Sequence, residues 1–294
     1  MRNSIAVMNA KGGVGKSTLV LALAETLSAK FAKNVLVIDA DAQASVSLML
    51  LSAGNLNRLQ LDGMTIVDLL VASVLNNMPV DWPRFIVSGV SDVDEARTVY
   101  VIPSDMQLTL FEREVAKEGL LVRLRASIGA LLSGVREMFD IILIDCAPGL
   151  SVLTESMLRE ADFHLAPVNP DHVSAYALEV LAHFKGLNPE MGLAEYLGVL
   201  INMKGADSED ADNMRHLAEN ADNRCFAQAI PRTSALQHAS RFNSAERSYA
   251  TKYPDQSGEA LESACREILD RLGEANAAHQ APPLPVASVA PAPK

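Results

Sequence analysis

The chain has 294 residues, of which 49% are hydrophobic, and its formal net charge at pH 7 is −11. A chain of this length can bury a large core, and its acidic balance argues against a protein that coats nucleic acid through its overall charge, so any DNA contact must be local. Its three cysteines are far apart and form no C-x-x-C pair, which predicts neither a disulfide framework nor a zinc site.

Short apolar runs alternate with stretches of helical period along most of the chain. The runs are SIAVMN, NVLVIDA, TVYVIPS, FDIILIDCA, FHLAPVN and YLGVLINM. Helices are expected at about 17–31, 106–137 in one or two pieces, 151–160, 173–186, 210–220 and 258–273. Because the runs are apolar throughout, the sequence predicts an α/β fold: a doubly wound, mostly parallel sheet with helices on both faces.

The composition changes near the C-terminus. Residues 1–274 are expected to form one domain, and residues 275–294, rich in Ala and Pro, are expected to form a disordered tail. No apolar run approaches the roughly 20 residues that span a bilayer, and the N-terminus shows no signal-peptide pattern. We therefore expect a cytoplasmic protein without direct membrane binding.

The first apolar run leads into a glycine-rich stretch and then into a predicted helix. This is the context of a phosphate-binding loop, in which backbone N–H groups turn toward phosphate oxygens. Lys16 is expected to contact the β- and γ-phosphates of ATP, and Ser17 to contact Mg²⁺. The residues predicted to bind ATP are Lys11, Gly12, Gly13, Val14, Gly15, Lys16, Ser17 and Thr18.

The loop departs from the strict phosphate-loop pattern at two positions. Ala10 stands where that pattern has glycine, and Lys11 is an additional lysine. The resulting KGGVGKST resembles the deviant Walker A motif of the ParA/MinD family of ATPases. By that resemblance, Lys11 crosses the interface of an ATP-bound homodimer to the partner's phosphates and takes part in catalysis. The alternative is a lysine that acts within its own chain.

Two further strand ends carry carboxylates that the same resemblance places at the site. In NVLVIDADAQAS, the resemblance implies that Asp41 orients the attacking water and that Asp39 lies near the metal, although Ala42 replaces the family's proline. The alternative is a pair of aspartates that only cap the next helix. Asp145 ends a strand shaped like a Walker B motif. Ser17, Asp39 and Asp145 are thus the predicted Mg²⁺ residues.

Later segments extend the resemblance to the base of the nucleotide. YLGVLINMK resembles a family strand whose last residue, here Asn202, reaches the adenine. AIPRTSALQHAS resembles a family loop that closes over the base, which implies a contact from Pro231.

The resemblance implies a ParA-like positioning ATPase. Such a protein binds DNA without sequence preference as an ATP-bound dimer, associates with the nucleoid, and is released when a ParB-like or other adaptor protein stimulates hydrolysis. The cations expected to contact DNA are Arg232, Arg241, Arg247 and Lys252. Residues 204–224 oppose this, since they hold six acidic residues against three basic ones.

Other proteins with this loop fit the sequence less well. The nitrogenase iron protein and the iron–sulfur carriers need cysteine pairs that the chain lacks, and MinD-type membrane ATPases end in a basic amphipathic helix that APPLPVASVAPAPK cannot form. Two alternatives stay open: a metabolic P-loop synthetase of the same fold, which would not need Lys11, and a positioning ATPase that does not use DNA.

Overall fold

A single seven-stranded sheet organises the protein. The computed structural model describes residues 1–205 and 208–280. The strands are β1 (Ser4–Val7), β2 (Val35–Ala40), β3 (Val87–Ser88), β4 (Val99–Ile102), β5 (Ile141–Cys146), β6 (Phe163–Val168) and β7 (Glu195–Ile201). Their order across the sheet is β3-β4-β2-β5-β1-β6-β7. All neighbours are parallel except β3 and β4, which confirms the predicted mostly parallel sheet.

Helices cover both faces of this sheet, as the uninterrupted apolar strands predict. They are α1 (Lys16–Phe31), α2 (Ser45–Leu50), α3 (Ala53–Leu61), α4 (Ile66–Leu70), α5 (Leu108–Lys117), α6 (Leu121–Val135), α7 (Val152–Glu160), α8 (His172–Leu187), α9 (Ser208–Glu219), α10 (Ser234–Ala239), α11 (Tyr249–Lys252) and α12 (Asp255–Gln280).

Successive residues of the central strand β1 point into different cores. Ile5 and Val7 pack with α1, α10 and α12, whereas Ala6 packs on the other face with α4 to α7. This alternation follows from the two-residue period of a strand. Within the described ranges, no helix is long and apolar enough to cross a membrane.

The six predicted strands are all present, and the helices differ from expectation in ways that local chemistry explains. The stretch predicted at 106–137 divides into α5 and α6 at Gly119, whose φ of 65° ends a helix with little strain for glycine. Helices α2 to α4 and the two-residue edge strand β3 had no clear periodic signal.

The predicted start of the C-terminal tail is wrong. Helix α12 continues to Gln280, beyond the expected boundary at 274, because EANAAHQ contains good helix formers and precedes the first proline of the tail. Asn276 fixes this end to the sheet through hydrogen bonds with the backbone of Arg2. Residues 281–294, the remainder of the predicted tail, lie outside the described part of the chain.

Candidate functional site

The glycine-rich loop connects the carboxyl end of β1 to the start of α1. Gly13 and Gly15 have φ values of 78° and 77°, which disfavour any side chain. A Cβ on Gly15 would also lie 2.7 Å from Nδ2 of Asn202. The loop therefore needs glycine at these positions, and its backbone precedes a helix N-terminus, as a phosphate cradle requires.

Side chains from neighbouring strand ends hold this loop in place. Asn9 donates a hydrogen bond to the carbonyl of Pro167 (2.7 Å), and its own Oδ1 accepts one from the backbone N–H of Lys11 (2.9 Å). Asn202, at the end of β7, donates to the carbonyl of Val14 (2.8 Å). These contacts fix the shape of the cradle, and a loop of fixed shape loses less entropy when it binds a ligand.

Lys16 and three carboxylates lie beside the cradle. Asp39 and Asp145 are paired in register on the adjacent strands β2 and β5, so their side chains start next to each other. Lys16 is only 7% exposed, and burial lowers its pKa, while the nearby carboxylates of Asp145 and Asp41 oppose that shift. A buried cation in this position is suited to binding phosphate oxygens.

Both carboxylate oxygens of Asp39 accept hydrogen bonds from the polypeptide. One carboxylate oxygen accepts hydrogen bonds from the backbone and hydroxyl of Ser47 (3.0 and 2.6 Å), and the other accepts one from the backbone of Asp41 (3.2 Å). Burial raises the pKa of Asp39 to about 6 despite these bonds. Through the bond from the backbone of Ser47, Asp39 also caps helix α2.

Asp145 has the opposite environment. Both carboxylate oxygens are buried, and among the described residues no donor reaches them at normal hydrogen-bond geometry, although the Ser17 hydroxyl is close enough to interact with them. Burial raises the pKa of Asp145 well above its usual value, the Asp39 carboxylate raises it further, and the Ser17 hydroxyl opposes the shift. Such an orphaned carboxylate next to a hydroxyl fits a Mg²⁺ ion, which takes one or two protein ligands and completes its shell with phosphates and water. This also explains why the described residues form no preassembled metal cage.

The loop that carries Asp41 is ordered by its own hydrogen bonds. Oδ1 of Asp41 accepts one from the backbone of Gln43 (2.9 Å), and the backbone of Ala44, with a φ of 50°, closes onto the carbonyl of Asp41 (2.9 Å). Asp41 is 9% exposed. The turn therefore keeps a defined shape without the proline that Ala42 replaces.

Lys11 makes its contacts within its own chain. Its Nζ lies 2.9 Å from both carboxylate oxygens of Asp171 and 3.1 Å from the hydroxyl of Ser174. Burial alone would raise the pKa of Asp171, but hydrogen bonds from Lys11 and Ser174 hold it below its usual value. The side chain of Lys11 remains 30% exposed, at the edge of the site.

Sequence reasoning missed Asp171. The signal was present, because Asp171 follows the carboxyl end of a strand, as Asp39 and Asp145 do. Parallel strands place these ends at one edge of the sheet.

A pocket of about 320 Å³ continues from the loop toward the C-terminal segment. Its lining includes Gly13, Thr18, Asn202 and Pro231, so the structure brings the predicted base-contacting residues together with the loop. Apolar side chains such as Leu236 complete the wall, which suits the flat face of a base. Arg232 also lines this pocket, although we expected it to contact DNA.

Lys252 cannot contact DNA as predicted, because its side chain is fully buried. Its Nζ lies 2.8 Å from the carboxylate of Glu25 on α1 and 2.6 Å from that of Asp92. A buried ammonium needs such partners, since desolvation of an unpaired charge is costly. The sequence showed a cation but gave no sign of these distant acids.

Arg247 is also turned inward. Its guanidinium donates to Asp92 (2.9 Å) and to the backbone carbonyl of Arg241 (3.0 Å), and its side chain is 19% exposed. We call Glu25, Asp92, Arg247 and Lys252 the buried charge network. Of the four predicted DNA contacts, Arg232 and Arg241 remain exposed.

The chain is similar to known proteins over most of its length. A family described as an AAA domain matches residues 2–188. The chain is 28% identical over 286 residues to the chromosome-partitioning ATPase Soj of Thermus thermophilus, covering 92% of this chain and 97% of Soj.

Two solved structures share the fold. Apo McdA from Cyanothece superposes with a TM-score of 0.70 at 20% identity, covering 93% of this chain and 100% of McdA. Cobyrinic acid a,c-diamide synthase from Mycobacterium smegmatis, with bound ADP and magnesium, also superposes with a TM-score of 0.70 at 20% identity. The match covers 94% of this chain and 97% of the synthase. At this identity both show the fold alone.

Proposed function

Because the chain belongs to the ParA/MinD family of P-loop ATPases, we propose that it is an ATP-dependent dimerising switch that positions a cargo. In this proposal the ATP-bound dimer binds DNA without sequence preference in the cytoplasm, and an adaptor protein of ParB-like or other type releases it by stimulating hydrolysis. The similarity to Soj over nearly its whole length supports a role in partitioning. The cargo is a plasmid, a chromosome region or a protein assembly.

The observation that carries the proposal is the position of Lys11. A lysine needed only for its own chain's phosphates would point toward Lys16, whereas Lys11 sits at the edge of the site, bonded to Asp171. In this proposal Lys11 exchanges Asp171 for the phosphates of a second subunit when the dimer forms. A second ammonium at a desolvated interface would stabilise the charge of the transferring phosphoryl group, as an arginine finger does.

The chain's own residues divide the remaining tasks. The loop from Gly12 to Gly15 directs N–H groups at the phosphates, and Lys16 neutralises their charge. Ser17 and Asp145 would hold Mg²⁺, which would supply positive charge to offset that of the triphosphate. Asp41, on its ordered turn, orients the water.

Removing the Asp41 carboxylate should separate binding from hydrolysis. We expect Asp41→Ala to bind ATP with nearly unchanged affinity but to hydrolyse it about a hundredfold more slowly or worse, because water is no longer oriented. Phosphate release under saturating ATP measures this, with Asp62→Ala, an exposed aspartate away from the site, as the control. Unchanged turnover would remove Asp41 from the reaction and favour Asp39 or a water held elsewhere.

Nonspecific DNA binding should depend on the exposed cations and on ATP. We expect the ATP-bound Asp41→Ala dimer to bind two unrelated duplexes equally, with log affinity falling by about 0.9 per log unit of salt for each phosphate neutralised. Arg241→Glu should weaken binding to both duplexes alike and should reduce the slope of log affinity against log salt by roughly 1 or more. Fluorescence anisotropy at several salt concentrations gives both quantities.

The matched control is Arg113→Glu, which reverses an exposed arginine on α5, across the sheet from the buried charge network. It should leave DNA binding unchanged. If neither duplex binds at low salt although ATP still causes dimerisation, the protein is a positioning ATPase that does not use DNA as its binding surface.

The alternative function is a metabolic P-loop synthetase, which would have the same fold but would not act as an ATP-dependent dimerising switch. The similarity to the diamide synthase shows that the fold does not decide between these functions. The presence of Lys11 favours the switch, because a synthetase that binds its substrate within one site has no need of a lysine that crosses between subunits.

A further inference from the structure

The loop 147–150 connects the end of β5, where Asp145 lies, to the start of helix α7. A Cβ on Gly12 would lie 4.0 Å from the Cβ of Pro148, so this loop lies against the phosphate cradle. In the described part of the chain, no hydrogen bond to another backbone group holds residues 148–150. The position of the loop therefore depends on how its two ends are fixed.

The two ends of the loop are fixed in different ways. The first end follows β5, which is paired with β1 on one side and with β2 on the other. The second end is Ser151, the N-cap of α7, whose hydroxyl oxygen accepts a hydrogen bond from the backbone N–H of Thr154 (3.2 Å). A cap of this kind orders the first turn of its own helix but does not attach that turn to another element.

Glu112, on helix α5, makes that attachment. Its Oε1 accepts hydrogen bonds from the hydroxyl of Ser151 (2.5 Å) and from the backbone N–H of Leu153 (2.9 Å). Leu153 is the second residue of α7, so the carboxylate lies at the helix N-terminus, where negative charge is favoured. Helix α5 is itself held by Phe111 and Val115, which pack in the core on this face of the sheet. Glu112 thus joins a packed helix to the end of the loop.

The loop borders one particular end of the nucleotide site. Asp145 and Asp41 are both close enough to act on the charge of Lys16. In the proposed function, on which this inference rests, Asp145 would hold Mg²⁺ and Asp41 would orient the water, so this end would receive the γ-phosphate. A change in the position of the loop should therefore affect ATP more than ADP, which lacks that phosphate.

We propose that Glu112 is a positioning residue, which holds the loop 147–150 against the phosphate cradle and so strengthens the binding of ATP relative to ADP. Without this carboxylate, Ser151 and Leu153 lose their common acceptor on α5. The loop would then have to be ordered when the γ-phosphate binds, which costs conformational entropy.

Replacing Glu112 with alanine tests the proposal. We expect the affinity for a nonhydrolysable ATP analogue to fall by about tenfold or more, while the affinity for ADP stays within about threefold of wild type. Equilibrium titrations in the presence of Mg²⁺ measure both. The matched control is Glu114→Ala, because Glu114 lies on the same helix and pairs with Lys117 at the surface. It should leave both affinities within about threefold of wild type.

The ratio of the two affinities separates positioning from a purely structural role. A Glu112→Ala protein that binds both nucleotides as wild type does, or that weakens both equally, would overturn the proposal. A wild-type protein that binds neither nucleotide would instead refute the proposed function, and this inference with it.

Two conservative variants keep the test informative if Glu112→Ala fails to fold. Glu112→Gln retains an oxygen acceptor at the same reach, so it should keep the wild-type preference for the ATP analogue. Glu112→Asp is one methylene shorter and should not reach Ser151 and Leu153 together, so it should lose that preference. A Glu112→Asp protein with the wild-type preference would contradict the proposal.

Hydrogen exchange without nucleotide provides a readout that does not depend on the proposed function. The backbone N–H of Leu153 donates to Glu112, so it should exchange about tenfold faster or more in Glu112→Ala, and at the wild-type rate in Glu114→Ala. Unchanged exchange in Glu112→Ala would show that the carboxylate does not hold the helix start, and the proposal would be wrong.

The competing explanation is an effect on dimerisation. The titrations are therefore repeated in the Lys11→Ala background, which should not dimerise on ATP. The selective loss of affinity for the ATP analogue should persist there. If it disappears, Glu112 acts on assembly and not on the position of the loop, and the proposal is overturned.

Discussion

Replacing Lys16 with alanine is expected to weaken ATP binding by roughly a hundredfold or more. The ammonium is buried beside Asp145 and Asp41, and in the proposed site it is the cation that faces the β- and γ-phosphates from within the loop. Charge-assisted hydrogen bonds contribute roughly 1.5–3 kcal/mol each, so losing contacts with both phosphates accounts for the effect. Equilibrium titration with a fluorescent ATP analogue measures it.

Lys30→Ala is the matched control, because Lys30 lies in the last turn of the same helix and pairs with Glu262 near the surface. It should bind ATP as the wild type does. Affinity of Lys16→Ala within about threefold of wild type would remove the phosphate-loop assignment altogether.

The second large effect is expected at Lys11, and it concerns assembly. Lys11→Ala should bind ATP within about threefold of wild type, yet lose ATP-dependent dimerisation and the hydrolysis that depends on it. The physical reason is that two triphosphates facing each other across a dry interface repel unless each receives a cation from the opposite subunit. Light scattering with and without ATP, in the Asp41→Ala background so that dimers accumulate, provides the measurement.

Lys117→Ala removes an exposed lysine on α5 and serves as the control. A Lys11→Ala protein that still dimerises on ATP as well as this control would show that Lys11 acts within its own chain. The metabolic synthetase would then be the better interpretation.

The nucleotide site was more predictable from the sequence than the surface was. Gly13 and Gly15 lie in one loop and Lys16 and Ser17 in the helical turn that follows it, so their spacing in the sequence is enough to predict their geometry. The position of Asp145 was equally predictable, because a carboxylate at the end of a buried parallel strand must lie at the carboxyl edge of the sheet. The contacts of Asp39 were less predictable, since its partner Ser47 lies beyond a turn whose shape the sequence does not fix.

The errors concern residues whose setting depends on distant parts of the chain. Lys252 reads as a surface cation, but its partners Glu25 and Asp92 lie 227 and 160 residues away along the sequence. Asp171 reads as a helix cap, and its contact with Lys11 spans 160 residues. Such pairings depend on how distant helices and loops pack around the sheet. A local sequence pattern does not contain that information.

The buried charge network has a consequence for how the sequence can change. Its two carboxylates and two cationic side chains form ion pairs in the interior. The loss of one partner from a buried ion pair typically lowers the free energy of unfolding by about 3–5 kcal/mol. That is a large share of the stability of a domain. Single substitutions in the buried charge network should therefore destabilise the protein. Replacement of all four residues by apolar ones should be tolerated, because no charge is then left unpaired. Descendants of this sequence should keep all four residues or replace them together, so that the helix of the phosphate loop and the C-terminal segment are inherited as one unit.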